Sequence, residues 1–240
     1  MARSERPPAR SIRHGVETID PGRGLPRHQH LNAYATLILE GRYEQTAYAG
    51  RLIAEPGVVL IQPTLDCHAD RMLSRGAKIV RLPWRREAGV GGAFRIAAFD
   101  EVRRVGERDP LEAGALLAEA LGELGAPGAR LGDWQDLLAS DLNADADLKL
   151  GAWAERMGVA RETVSRGFAR VYGVGPARFR AELKARRAFL RIVEGPEPLA
   201  AIASDLGFAD QPHMTRAVGW LTGAAPSAWR SHRFKTSAAA

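Results

Sequence analysis

The chain has one cysteine, Cys67, in 240 residues. No internal disulfide can form, and such sparse use of thiols fits a reducing compartment. No stretch reaches the roughly 18 consecutive apolar residues of a membrane-spanning helix. The opening "MARSERPPAR" carries charge but lacks the apolar run of a secretory signal. These absences set the expectation of a cytoplasmic protein without a membrane partner. Acidic charge is also scarce, but only locally. The whole chain has a net charge of +6, whereas Leu148–Lys235 has +8 and the remainder −2. A basic segment beside a near-neutral one points to a polyanion partner for the basic part. The plainer alternative is a solvated, arginine-rich surface.

What is present in that basic segment is a repeat. "GVGPARFR" (Gly173–Arg180) is echoed by "GAAPSAWR" (Gly223–Arg230). Ahead of the copies stand "LGAWAERMGV" and "LAAIASDLGF". Leu150, Trp153, Ala154 and Met157 have the same i, i+3, i+4, i+7 spacing as Leu199, Ile202, Ala203 and Leu206, the stripe of one buried helix face. Gly158 and Gly207 follow at once as helix stops in the left-handed conformation. A second helix then carries Val164, Phe168 and Val171 in one unit, and Met214, Val218 and Leu221 in the other. The offset is 49 residues over the first helices and 50 afterwards, so the second turn holds one extra residue. Helix, glycine turn, helix is thus written twice. "PARFRAELKARRAFLRIVEG" reads as one long helix from Pro176 to about Glu194 that joins the two units.

Upstream, residues 1–20 show no periodicity and read as a flexible arm. From Pro26 to Trp84 short β-type runs ("YATLILE", "YEQTAYA", "RLIAEPGVVLIQP", "AKIVRLPW") are divided by the turn signals "GR", "AG", "EPG" and "SRG". They predict a small antiparallel barrel or sandwich, with "GVGGAFRIAAF" (residues 89–99) as a further strand. Helical spacing returns at Pro110, with Asp109 as cap and Leu117, Leu121 and Leu124 on one face. Residues 133–142 form a second, shorter helix, and "NADAD" (residues 143–147) marks a boundary. The domains expected are therefore the arm (1–20), a β barrel (21–100), a helical linker or dimerisation region (101–147) and a helical domain (148–235). The fold class is α+β. A fragment from about Asp145 to Ala240 is expected to fold alone and bind DNA.

Over Leu148 to about Arg233 the sequence resembles the AraC/XylS family of bacterial transcription regulators. The likeness rests on "LGAWAERMGVARETVSRGFARVYGVGPARFRAELKARRA" and "LAAIASDLGFADQPHMTRAVGWLTGAAPSAWR". It implies that each second helix enters a major groove, reading base edges while nearby arginines neutralise phosphates. With the apolar positions facing inward, Arg161, Glu162, Thr163, Ser165, Arg166 and Arg170 are outward on the first recognition helix. Gln211, His213, Thr215 and Arg216 are outward on the second. Arg166 and Arg216 suit guanine, and Gln211 suits adenine. Two departures stand out: Pro212 in the first turn of the second recognition helix, and Gly167 in the middle of the first. The latter costs about 1 kcal/mol against alanine.

In the β region, Gly22, His28, His30 and Gly41, followed by Gly57, Pro63 and His68, reproduce the two spaced motifs of cupin barrels. In metal-binding cupins a glutamate completes the histidine set, but here that position holds Tyr34, and Met72 replaces a common asparagine. The favoured reading is an effector pocket lined by His28, His30, Tyr34 and His68, or a pocket with no ligand, in either case without a resident cofactor. A three-imidazole metal site at His28, His30 and His68 is the weaker alternative. Cys67, next to His68, is expected to point to the opposite face of its strand.

The function implied is a DNA-binding transcription regulator that responds to a small-molecule effector and is not an enzyme. Its partners are double-stranded promoter DNA and the effector. A homodimer, on the motive of the Leu117–Leu124 face, and RNA polymerase are further candidates. The alternative is a metal-dependent cupin enzyme, a dioxygenase or isomerase with an accessory helical domain. A repair protein that transfers alkyl groups to cysteine fails, because Cys67 stands in no nucleophilic motif.

Overall fold

The computed structural model describes residues 6–22, 24–84, 91–121, 132–145 and 148–230. Packing divides the chain into two compact units, Pro8–Gly173 and a second built mainly on Val174–Ala240.

Among the described residues, the first unit contains a seven-stranded antiparallel sheet. Its strands are β1 (Gly15–Ile19), β2 (Leu25–His28), β3 (Tyr34–Ala47), β4 (Gly50–Ala54), β5 (Val59–Gln62), β6 (His68–Pro83) and β7 (Gly92–Phe94). The order is β1-β6-β3-β5-β7, with β2 added to β6 and β4 to β3. The long strands β3 and β6 pair along almost their whole length, from Tyr34↔Pro83 to Thr46↔Ala69. Two turn signals in the sequence therefore have another use. "GR" at Gly41 and "SRG" at Ser74–Gly76 lie inside strands, facing each other where the register shifts. Gly41 has φ +80°, and a β-carbon there would collide with the Gly76 backbone. The glycines bend a continuous ladder rather than end a strand. The arm expected over residues 1–20 is also corrected, since Gly15–Ile19 pairs with Ala77–Arg81 of β6.

Period-two alternation gives the sheet two apolar faces. Ala35, Leu37, Val59, Ile61, Val80 and Leu82 share one cluster with Val102, Ala113, Leu117 and Leu121. Those last four sit on or beside α1 (Phe99–Gly106) and α2 (Pro110–Ala120). Ile38, Tyr43, Leu52, Leu60 and Ile79 form the other cluster. Asp109 caps α2 as expected, accepting from the amides of Leu111 and Glu112 at 2.9 and 3.1 Å. The leucine face proposed for dimerisation is spent within the chain: Leu117 and Leu121 are buried against the sheet. Leu124 lies outside the described residues. The motive for a homodimer is thereby removed. The strand expected over residues 89–99 is β7 alone among the described residues, and α1 begins at Phe99.

The same unit holds α3 (Trp134–Ala144), α4 (Leu150–Arg156) and α5 (Arg161–Tyr172). The other unit holds α6 (Pro176–Glu194), α7 (Leu199–Asp205) and α8 (Gln211–Thr222). The repeat is reproduced down to single hydrogen bonds. Gly158 and Gly207 have φ +63° and +67°. The next amide in each, Val159 and Phe208, donates at 2.9 Å to Ala154 and Ala203 respectively. This is the left-handed helix stop that the two glycines announce. Helices of 12 residues follow, starting at Arg161 and Gln211, so the extra residue falls in the second turn. Gly173 and Gly223 end them, again left-handed.

Candidate functional site

Three histidines meet at the end of the sheet. His28 closes β2 directly opposite His68, the first residue of β6. Ring centroids are 4.3 Å apart for His28–His68, 4.9 Å for His28–His30 and 5.3 Å for His30–His68. Tyr34, at the start of β3, stands 4.9 Å from the His30 ring and its hydroxyl lies 3.3 Å from His68 Nε2. All four side chains singled out in the sequence are buried and brought together.

The tautomers follow from the partners. Each Nδ1 faces a backbone carbonyl: Pro26 for His28 at 2.9 Å, Arg10 for His30 at 2.7 Å and Asp66 for His68 at 3.0 Å. A carbonyl can only accept, so each neutral ring carries its proton on Nδ1 and leaves Nε2 as an acceptor. Burial, and for His28 and His30 the neighbouring His68, lowers all three from 6.5 to about 4. At neutral pH the cluster is thus three uncharged acceptors, with one nitrogen from each ring inside 4.8 Å of the others. Such a group can accept from a hydroxyl or ammonium ligand. It also has the donor set, and the carbonyl-oriented rings, that a divalent cation takes.

Beside the cluster is a cavity of about 530 Å³, lined in part by His28, His30, Tyr34, Asp70, Arg81 and Ile12. Asp70 and the N-terminal segment were missed in the sequence. Asp70 follows His68 by two on one strand, which puts both on the same face, so alternation alone could have found it. It accepts from Gln45 Nε2 at 3.1 Å, and burial raises its pKa. The pocket therefore has a carboxylate although the usual motif position holds Tyr34. Arg81 is paired with Glu17. The segment Pro8–Arg10 runs beside Gln29, exchanging backbone hydrogen bonds of 2.9 and 3.1 Å, and no local pattern announces it. Cys67 is buried, with Sγ 3.6 Å from Gln29 Oε1.

On α5, Val164, Phe168 and Tyr172 are buried, while Arg161, Glu162, Thr163, Ser165, Arg166 and Arg170 are all exposed. Val171, expected inside, is half-buried, and Tyr172 takes the deeper place. Arg161 lies 3.6 Å from Glu155. On α8, Met214, Val218 and Leu221 are buried, Gln211, His213 and Arg216 are exposed, and Thr215 is half-buried. Asp210 caps α8 by accepting from the His213 amide at 2.5 Å, and the His213 ring stands edge-on to Phe208 at 5.3 Å. Pro212 occupies the first turn, where its missing N–H costs nothing. Gly167 has a reason that the sequence hid. A β-carbon there would lie 2.6 Å from the Trp134 ring, so only glycine lets α3 close on α5.

Residues 153–232 match the helix-turn-helix domain family, and no curated protein matches the chain. Among solved structures, unsaturated-fatty-acid-bound ToxT from Vibrio cholerae is similar at 9% identity and a TM-score of 0.41, covering 92% of this chain and 97% of that one. The C-terminal domain of AraT, a response regulator from Geobacillus stearothermophilus, is 20% identical with a TM-score of 0.40 over 44% of this chain and 89% of that one. A probable AraC family regulator from Rhodopseudomonas palustris is 18% identical with a TM-score of 0.37 over 40% and 93%.

Proposed function

We propose, from the premise that residues 153–232 are a helix-turn-helix domain of the AraC type, that this chain regulates transcription in response to an effector bound at its histidine pocket. The observation that carries the DNA-binding part is the twice-built helix pair with a polar, exposed face on each second helix. No helix among the described residues is long and apolar enough to cross a membrane. The reading places the protein in the cytoplasm, on double-stranded promoter DNA, with no catalytic role.

Mapping bound sites across the genome, followed by titration on the recovered sequences, tests this. Affinity should fall steeply with salt as phosphates release counterions. Arg166→Ala and Arg216→Ala should each cost about 1–3 kcal/mol on the cognate duplex and relax one base position. Arg191 is the control. It is held by Glu197 and by Asp205, the latter at 3.0 Å, so its loss should lower thermal stability and leave sequence preference unchanged. Equal small losses for Arg166→Ala, Arg216→Ala and Arg191→Ala on every DNA would refute the placement of the reading faces.

The convergence of three imidazole acceptors supports a second reading of the effector, as a divalent cation held by His28, His30 and His68. Such an ion would supply Lewis acidity, and the chain's own part is to orient the rings through their three carbonyls. Elemental analysis of purified protein beside a His28→Ala, His68→Ala double variant separates the readings. Metal in the wild type only favours the cation. Its absence in both, with effector response lost in the variant, favours an organic ligand. Turnover of a small acid or sugar by the metal-bearing wild type would instead establish the enzyme alternative.

A further inference from the structure

The two recognition helices have different neighbours. Helix α8 packs on α6 and α7, while α5 packs on α3, α4 and β3. The attachment of α5 is concentrated at its C-terminal end. Tyr172, its last residue, is buried, stacks on Phe168 with ring centroids 4.4 Å apart, and donates its hydroxyl to Asp136 Oδ1 at 2.8 Å. Asp136, buried on α3, in turn accepts from Nε and Nη2 of Arg51 on β4 at 2.9 and 3.0 Å. Burial works against the charge on Arg51, but Asp136 and Asp133 more than offset it and hold the guanidinium protonated. A bidentate pair of this kind fixes direction as well as distance.

A second tie comes from Arg27. Its Nη1 donates to the Tyr172 carbonyl at 3.3 Å, and the guanidinium lies over the Tyr48 ring at 5.5 Å. The last carbonyls of a helix lack partners within it and carry the negative end of its dipole, so a cation there is well placed. Arg27 is also the neighbour of His28 in the chain, which puts one end of the tie at the histidine pocket.

We propose that Arg27 and the chain Arg51–Asp136–Tyr172 are positioning residues that fasten the first recognition helix to the sheet. The proposal rests on the reading of α5 as a recognition helix. The outward residues of α5 are exposed while it is fastened, so the device aims the helix rather than covering it. A regulator built this way can act through one half of its DNA-binding repeat.

Hydrogen exchange on the full chain tests the fastening. Tyr172→Phe keeps the stack on Phe168 and removes only the hydroxyl bond, and Arg27→Ala removes the second tie. In each, amides of residues 161–172 should exchange about tenfold faster while those of 211–222 and of β3 hold their wild-type rates. Affinity for a duplex selected by the wild-type protein from a random-sequence pool should fall about tenfold, with affinity for unselected duplex unchanged. Unchanged exchange in α5, an equal rise in α8 and β3, or an equal loss on both duplexes overturns the proposal. Failure of the wild type to select any duplex would count against the DNA-binding reading instead, and the exchange rates would still decide the fastening.

Discussion

Taken from pH 7 to pH 4 in the presence of EDTA, the protein should lose several kcal/mol of stability, most of it between pH 6.5 and 4. Unfolded, each of His28, His30 and His68 takes a proton near 6.5; folded, burial holds each near 4. Across that window the unfolded chain binds more protons than the folded one, so acid favours unfolding. The neutral rings contribute stability that is fully present above pH 6.5 and is lost as pH falls through the folded values. The shift at buried His68 corresponds to about 3 kcal/mol, and the similarly lowered His28 and His30 add to it. Set against a typical total of about 5–15 kcal/mol, that is enough to unfold a marginal sheet. Urea midpoints at pH 7.5, 6.0 and 4.5 measure it. His68→Gln should be less stable at pH 7.5 but flatter in pH. A variant as steep as the wild type would show that the acid sensitivity lies elsewhere.

Much of this was written locally in the chain. The glycine stops, the apolar stripes and the 49-to-50 offset concern residues within a turn or two of one another, and each reappears in the backbone. The histidine cluster was legible because Gly22, His28, His30, Gly57 and His68 fall in a spaced motif, and strand alternation then brings the rings together. The α+β class followed from the same two periodicities. What stayed hidden depends on distant partners. Gly41 and Ser74–Gly76 read as turns because nothing local distinguishes ending a strand from bending two paired ones. Asp70 was passed over because its place on the same strand face as His68 shows only once the strand is known. The buried leucines of α2 looked free because a helix face does not name what covers it. Gly167 looked like a defect because its reason, the Trp134 ring, lies 33 residues away in sequence.

The largest consequence of those long-range contacts concerns where the DNA-binding half can be cut. A fragment beginning at Leu148 contains the whole repeat, yet it should fold only in its second half. In the intact chain Trp153 is completely buried, and its indole N–H donates to Asp141 of α3 at 2.7 Å. Trp134 of α3 lies on Gly167 and 6.3 Å from the Trp153 ring, and Asp136 of α3 receives the Tyr172 hydroxyl. Removing α3 strips one side of α4 and α5 at once, a loss on the scale of truncating a buried tryptophan, about 3–5 kcal/mol. Two short helices have little else to offset it. Helices α6–α8 keep their own core of Phe179, Leu183, Phe189, Ile202, Met214 and Val218. A fragment beginning at Gly132 retains α3 and should show dispersed amide signals from both helix pairs. The fragment beginning at Leu148 should show them from 174 onward only and should bind its cognate duplex about a hundredfold more weakly, since ~3 kcal/mol is roughly two tenfold steps. Dispersed, protected signals for residues 161–172 in the shorter fragment would mean that the first pair folds on its own, and that α3 merely rests against it.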